Sequence, residues 1–187
     1  MQRLLRTTTA IAAALTFGLT APATGLAAAD CPGADSTPAE MSLQDARSTT
    51  LCLLNHERTS RGLKALRQNP GLQSTAQSYA QQMDERNFFD HVSPGGSTMV
   101  ERIKRGSDYL RSGRSWTVGE NLAWGAGGAE RFDKIVRAWM QSSGHRKNIL
   151  NGRFRDIGIG IVEGAPVKGI AAASGAATYV NNFGARG

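Results

Sequence analysis

Cysteine, histidine and long apolar runs are all scarce in this 187-residue chain, and each shortage removes a class of function. Two cysteines cannot build a disulfide-rich scaffold or a multi-cysteine metal cluster. Past residue 29 no apolar stretch reaches the roughly twenty residues that a membrane-crossing helix needs. Acids are short as well: 15 Asp and Glu stand against 22 Lys and Arg, for a net charge of +7 at pH 7. There is no G-x-S-x-G elbow, no HExxH helix and no P-loop. RNP, zinc-finger and helix-turn-helix patterns are absent, so no nucleic acid partner is expected. GIGIVEG lacks the third glycine of a dinucleotide fingerprint and reads instead as a strand packed closely on backbone.

What is present begins with a targeting segment at residues 1–29. Arg3 and Arg6 form a basic start, Ala10 to Leu19 an apolar core, and Ala27-Ala28-Ala29 a small-residue cleavage site. The alternative, an N-terminal membrane anchor, suffers from an apolar run too short to span. No twin-arginine pair is present, which favours the general secretory route. Cleavage near Ala29 removes two arginines and no acid, lowering the net charge from +7 to +5. A basic exported protein is drawn to anionic surfaces such as envelope polymers or lipid headgroups. In that oxidising setting Cys31 and Cys52 suggest one disulfide, worth about 3 kcal/mol by chain entropy. Two free thiols are the alternative, because spacing does not report geometry.

Residues 30–41 read as a short tether, and residues 42–187 as a single domain with room for one core. Ser42 with Asp45 marks a helix start, and Leu43, Ala46, Leu51, Leu54 and Arg58 follow on one face until Gly62. Asn69 is a natural N-cap with Pro70 at the first helical position, and Leu72, Ala76, Tyr79, Ala80 and Met83 form a core stripe. Thr98 and Glu101 suit a short third helix. A fourth spans about Glu130 to Gln141, buries Phe132, Ile135, Val136 and Trp139, and has Gly144 at a position of positive φ beyond its end. DIGIGIVEG and AATYVNNFG look like strands. Helices first and strands later predict an α+β domain rather than a βαβ alternation. The basic run ERIKRGSDYLRSGRS, with Arg102, Lys104, Arg105, Arg111 and Arg114, reads as a solvated face.

Chemistry has few candidates. Of the three histidines, His56 sits within the first helix, while His91 and His145 stand beside turns in FFDHVSPGG and SSGHRKNIL. Glu120, in VGENLAWG, is an awkward carboxylate to bury without a partner. Two imidazoles and a carboxylate suit either a three-ligand divalent metal site with an open position or a charged network without metal. Ser142 or Ser143 near His145 would serve a serine protease only in triad geometry, which adjacency does not provide.

The blocks NHERTSRGLKALRQNPGLQSTAQSYAQQM, FFDHVSPGG, VGENLAWG, AWMQSSGHRKNILNGRFRDIGIGI and YVNNFG run in the order seen in the CAP superfamily. The chain resembles the bacterial branch of this SCP-like extracellular group over roughly residues 45 to 185. The resemblance implies an α-β-α sandwich, with a small, mostly antiparallel sheet between helical layers. It also implies a cleft in which His91, Glu120 and His145 fall on three family positions. Ser142 stands where eukaryotic relatives often carry a fourth, acidic residue. Asn181 and Asn182 stand near the place of a glutamine common in similar bacterial proteins. The expectation is a secreted, monomeric binding module for a lipid, sterol, peptide or envelope glycan, able to hold Zn²⁺ or Mg²⁺ at His91, His145 and Glu120. The alternative is a metal-assisted hydrolase, a peptidase or cell-wall hydrolase, using the same cleft. With no single reaction uniting the family, fold alone does not assign one.

Overall fold

The computed structural model describes residues 31–111, 115–169 and 175–187. The targeting segment 1–29 and Arg114 lie outside the described residues. Helix α1 (Leu43–Thr59) starts where Ser42 Oγ accepts from the Asp45 amide at 3.1 Å, and Gly62 turns the chain at φ 72° beyond its end. Strand β1 (Arg67–Gln68) leads into α2 (Pro70–Arg86), whose N-cap Asn69 accepts from the amides of Gly71 and Leu72. Helix α3 (Met99–Gly106) opens on a Thr98–Glu101 capping box. Strand β2 (Trp116–Ala126), α4 (Phe132–Gln141), α5 (Ser143–Ile149), β3 (Asp156–Glu163) and β4 (Ala176–Arg186) complete the order.

The sheet runs β1-β3-β4-β2, antiparallel except for the short β1–β3 pair. Period-two alternation gives it two apolar faces. Ile157, Ile159, Ile161, Tyr179 and Phe183 pack with α1, α4 and α5, while Leu122 and Val180 pack with α2. The outcome is the expected α-β-α sandwich.

Close approach of α2 to the sheet depends on two glycines. A Cβ on Gly158 would lie 2.0 Å from the Leu72 carbonyl carbon, and one on Gly160 would lie 2.3 Å from the Ala76 carbonyl oxygen. At that range the α2 side chains reach the free edge of β3. Gln77 bonds both backbone groups of Ile161, at 2.9 and 3.1 Å, and Gln73 does the same for Ile159. The amides thus satisfy an edge that β1 is too short to cover.

The Cys31–Cys52 disulfide is formed. Residues 31–41 are less tether-like than their composition suggests. Cys31 and Ala34 are buried, and the Ala34 and Ser36 carbonyls accept from the amides of Asp133 and Phe132. VGENLAWG, to which the sequence assigns no element, is a strand, its alternation masked by Glu120 and Asn121 on buried positions. Two local readings are corrected. Gly144 lies within α5 and is not among the positive-φ glycines, because the chain restarts a helix at Ser143 instead of leaving α4 through a left-handed cap. The basic run is not wholly solvated: Arg102 is buried, whereas Lys104, Arg105 and Arg111 are exposed.

Candidate functional site

The loop carrying His91 is closed by its own polar groups. Ser93 and Ser97 exchange bonds, with the Ser93 amide donating to the Ser97 carbonyl at 3.0 Å and the Ser97 amide to Ser93 Oγ at 3.0 Å. Gly96 supplies the turn at φ 80°. Phe88 packs edge-on against Tyr79 at 5.9 Å between centroids and anchors the loop. Phe89 does not share that role. It is 41% exposed, because the left-handed Asn87 ends α2 and only the first aromatic follows the helix back onto the core.

Glu120 comes from the outermost strand. On β2, Glu120 and Leu122 turn to the α2–α3 layer while Asn121 turns to the α4–α5 layer. His91 Nδ1 stands 2.8 Å from Glu120 Oε1, and Arg102 Nη2 donates to Oε2 at 2.6 Å. The same guanidinium donates through Nη1 to the carbonyls of His91 and Ser97, at 3.0 and 2.8 Å, and lies over the Tyr79 ring. Burial pushes the Tyr79 hydroxyl up to about 12, and that hydroxyl donates to the Asp90 carbonyl at 2.6 Å. Arg102 is therefore the centre of the network, and nothing in ERIKRGSDYLRSGRS singles it out.

From the other layer, Asn121 Nδ2 donates to the His145 carbonyl at 3.1 Å, and Asn148 Nδ2 joins Asn121 Oδ1 at 2.9 Å. Trp139 Nε1 ties α4 to the Leu122 carbonyl at 2.9 Å. These bonds bring His145 within electrostatic reach of His91. Ser142 sits at the α4–α5 junction, where its carbonyl accepts from the Arg146 amide. Among the described residues its hydroxyl bonds none of His91, Glu120 or His145. Asn182 reaches Thr75 Oγ1 at 3.3 Å, while buried Asn181 keeps both amide atoms unpartnered. His56 stays apart, beside Asp133 and Met140.

The donor set does not fit a three-ligand Zn²⁺ or Mg²⁺ centre. Both Glu120 oxygens are engaged by protein donors, one of them a buried guanidinium. Among the described residues no three or more His, Cys, Asp or Glu side chains group as metal ligands would. What the arrangement does supply is two imidazoles shifted in opposite directions. The Glu120 hydrogen bond raises the His91 pKa against a smaller burial effect, and burial together with the His91 charge lowers that of His145.

Opposite pH dependences follow. A raised folded pKa makes His91 stabilising below its unfolded value near 6.5, a contribution lost as pH rises through the folded value. A depressed folded pKa gives His145 a contribution present above about 6.5 and lost as pH falls through its lower value. Urea midpoints from pH 5 to 8.5 should show His91→Gln flattening the alkaline side and His145→Gln the acidic side. Imidazole NMR titrations that placed His145 above His91 would refute this ordering.

Comparison with known proteins agrees with this fold. Residues 51–180 match the family described as CAP, the cysteine-rich secretory protein family. Uncharacterized protein YkwD of Bacillus subtilis is 37% identical over 133 residues, covering 71% of this chain and 48% of that protein. The chain thus spans about half the length of that relative. An extracellular SCP-domain protein of Bacillus anthracis superposes with a TM-score of 0.54 at 24% identity, over 76% of this chain and 43% of that one. An outer surface protein of Borrelia burgdorferi gives 0.64 at 20% identity, over 79% and 97%. Likeness at such identity speaks for the fold, and among the described residues no helix is long and apolar enough to cross a membrane. With its family match covering more than half of the sequence and its α-β-α sandwich in place, the chain belongs to the CAP, or cysteine-rich secretory protein, family.

Proposed function

We propose that the chain is an exported binding domain that recognises a polar envelope ligand, a peptide or glycan, at the His91–His145 surface. The observation that carries this reading is the saturation of Glu120. A carboxylate held at 2.8 Å by an imidazole and at 2.6 Å by a buried guanidinium is a poor general base and a poor metal ligand. Its role is to favour the charged form of His91 and to orient the ring. His91, whose side chain is 57% exposed, then offers its second ring nitrogen as a charge-assisted donor. His145 offers a neutral imidazole, able to donate and accept. Polar partners of this kind favour a peptide or glycan over a lipid or sterol.

Hydrolysis at the same surface is the second reading, and one observation favours it. Imidazoles shifted in opposite directions are the arrangement expected of an acid and base pair, with His91 as acid and His145 as base.

Sedimentation with insoluble peptidoglycan, alongside assays for released reducing ends and amines, separates the two. Binding without turnover is expected, with retention falling about tenfold in His91→Ala, which loses a charge-assisted bond, and about fivefold in His145→Ala, which loses a neutral one. Turnover abolished by the same substitutions, at unchanged circular dichroism, would overturn the binding reading in favour of hydrolysis.

A further inference from the structure

A cavity of about 640 Å³ lies between α2 and α3, within the roughly 300–1,000 Å³ that small ligands occupy. Three arginines line it, Arg86, Arg102 and Arg105, and no acidic side chain does. Hydroxyls of Ser78 and Ser97 furnish further donors, while Ser74 Oγ already donates to the Gly71 carbonyl. A shallower hollow continues from it past Gly95, Ser97 and Arg105 to Lys104 and Glu101.

The charges on this wall are not balanced. Arg102 is paired with Glu120, which it shares with His91, and its buried Nε has no acceptor among the described residues. At the rim one carboxylate, Glu101, held by Thr98 in the helix cap, feels both Arg105 and Lys104. Arg86 and Arg105 are exposed and make no ion pair among the described residues, Arg105 bonding the Ser97 hydroxyl, and together with Lys104 against the single acid Glu101 they leave an excess of two positive charges. Two unmatched positive charges suit a dianion better than a carboxylate, which would leave one over. Arginine forks and hydroxyls approaching from two helices and a loop suit a tetrahedral group better than a planar one.

We infer that this cavity is a second ligand site, taking the phosphate group of a soluble phosphate ester. Arg86 and Arg105 grip its oxygens, and the Ser78 and Ser97 hydroxyls complete the cradle. The inference does not rest on the His91–His145 reading, because His91, Glu120 and His145 are not part of this wall.

Calorimetric titration of the protein in low-salt, phosphate-free buffer tests it, with glycerol 1-phosphate as probe and acetate as control. Saturable binding of the ester is expected, with acetate at least about tenfold weaker. Arg86→Gln/Arg105→Gln should weaken the ester about tenfold or more at unchanged melting temperature. His145→Ala should leave it unaffected, which separates failure here from failure at the imidazoles. A second double variant, Arg146→Gln/Arg153→Gln, removes the same charge elsewhere and should change affinity less than about twofold. Equal losses in the two double variants would reduce the effect to diffuse attraction and overturn the proposal. No saturable binding would overturn it too, as would binding to phosphatidylglycerol vesicles without binding to the soluble ester.

Discussion

Arg102→Leu should lower the melting temperature by roughly 4–16 °C. The side chains of Arg102 and Glu120 are only 7% and 3% exposed, so neither is screened by solvent. Removing the guanidinium strands a buried carboxylate with His91 as its remaining side-chain partner. It also leaves the His91 and Ser97 carbonyls without a donor they now share. Breaking a buried pair from one side costs about 3–5 kcal/mol, chiefly the penalty of the uncompensated charge. The unpartnered Arg102 Nε offsets part of that, about 1 kcal/mol, since its desolvation cost disappears with it. In a domain of this size each kcal/mol corresponds to roughly 2–4 °C. The double variant Arg102→Leu/Glu120→Leu should recover much of the loss, because no orphaned charge remains. Calorimetric melts of the single and double variants check both statements. A single variant melting within about two degrees of the unchanged protein would show that Glu120 is not held as described.

Gly158→Ala should be comparably damaging through packing alone. The added methyl would stand 2.0 Å from the Leu72 carbonyl carbon and 2.2 Å from its oxygen. Both are backbone atoms inside α2, so no side-chain rotation relieves the clash. The helix has to move off β3, which also pulls Gln73 and Gln77 from the strand edge they satisfy. Ordinary overpacking costs about 1–3 kcal/mol; here the rigid contact places the cost at about 3 kcal/mol or above. Gly152→Ala is the matched control, since its nearest neighbour would be Leu63 Cδ2 at 3.7 Å. Its effect should stay within about 0.5 kcal/mol. Urea midpoints of the two variants provide the comparison, and equal values would mean that α2 rides loosely on the sheet.

These two positions differ in how far the sequence announces them. GIGIVEG already reads as a strand against close backbone, because glycine alternating with isoleucine leaves one strand face bare of side chains. Helix starts are equally open to reading: Ser42, Asn69 and Thr98 each cap within three residues of themselves. VGENLAWG is opaque, since a strand that buries a carboxylate and an amide loses the apolar alternation by which strands are recognised. The three candidate positions stand out only as an ordered set of blocks, their separations of 29 and 25 residues carrying no geometry of their own.

The sequence by itself determined the helices with their caps, the pair of cysteines, the glycine-rich strand and the CAP family, all of them short-range patterns or an order of blocks. Tertiary structure alone decided the state of the site. Arg102 becomes the buried partner of Glu120 instead of a surface charge, and the two imidazoles are shifted in opposite directions, His91 toward its charged form and His145 toward its neutral one. The reason is physical: caps and periodicities act over a turn or less of chain. Whether a charge is buried depends on groups brought in from elsewhere, here 18 residues away for Arg102 and 29 for His91.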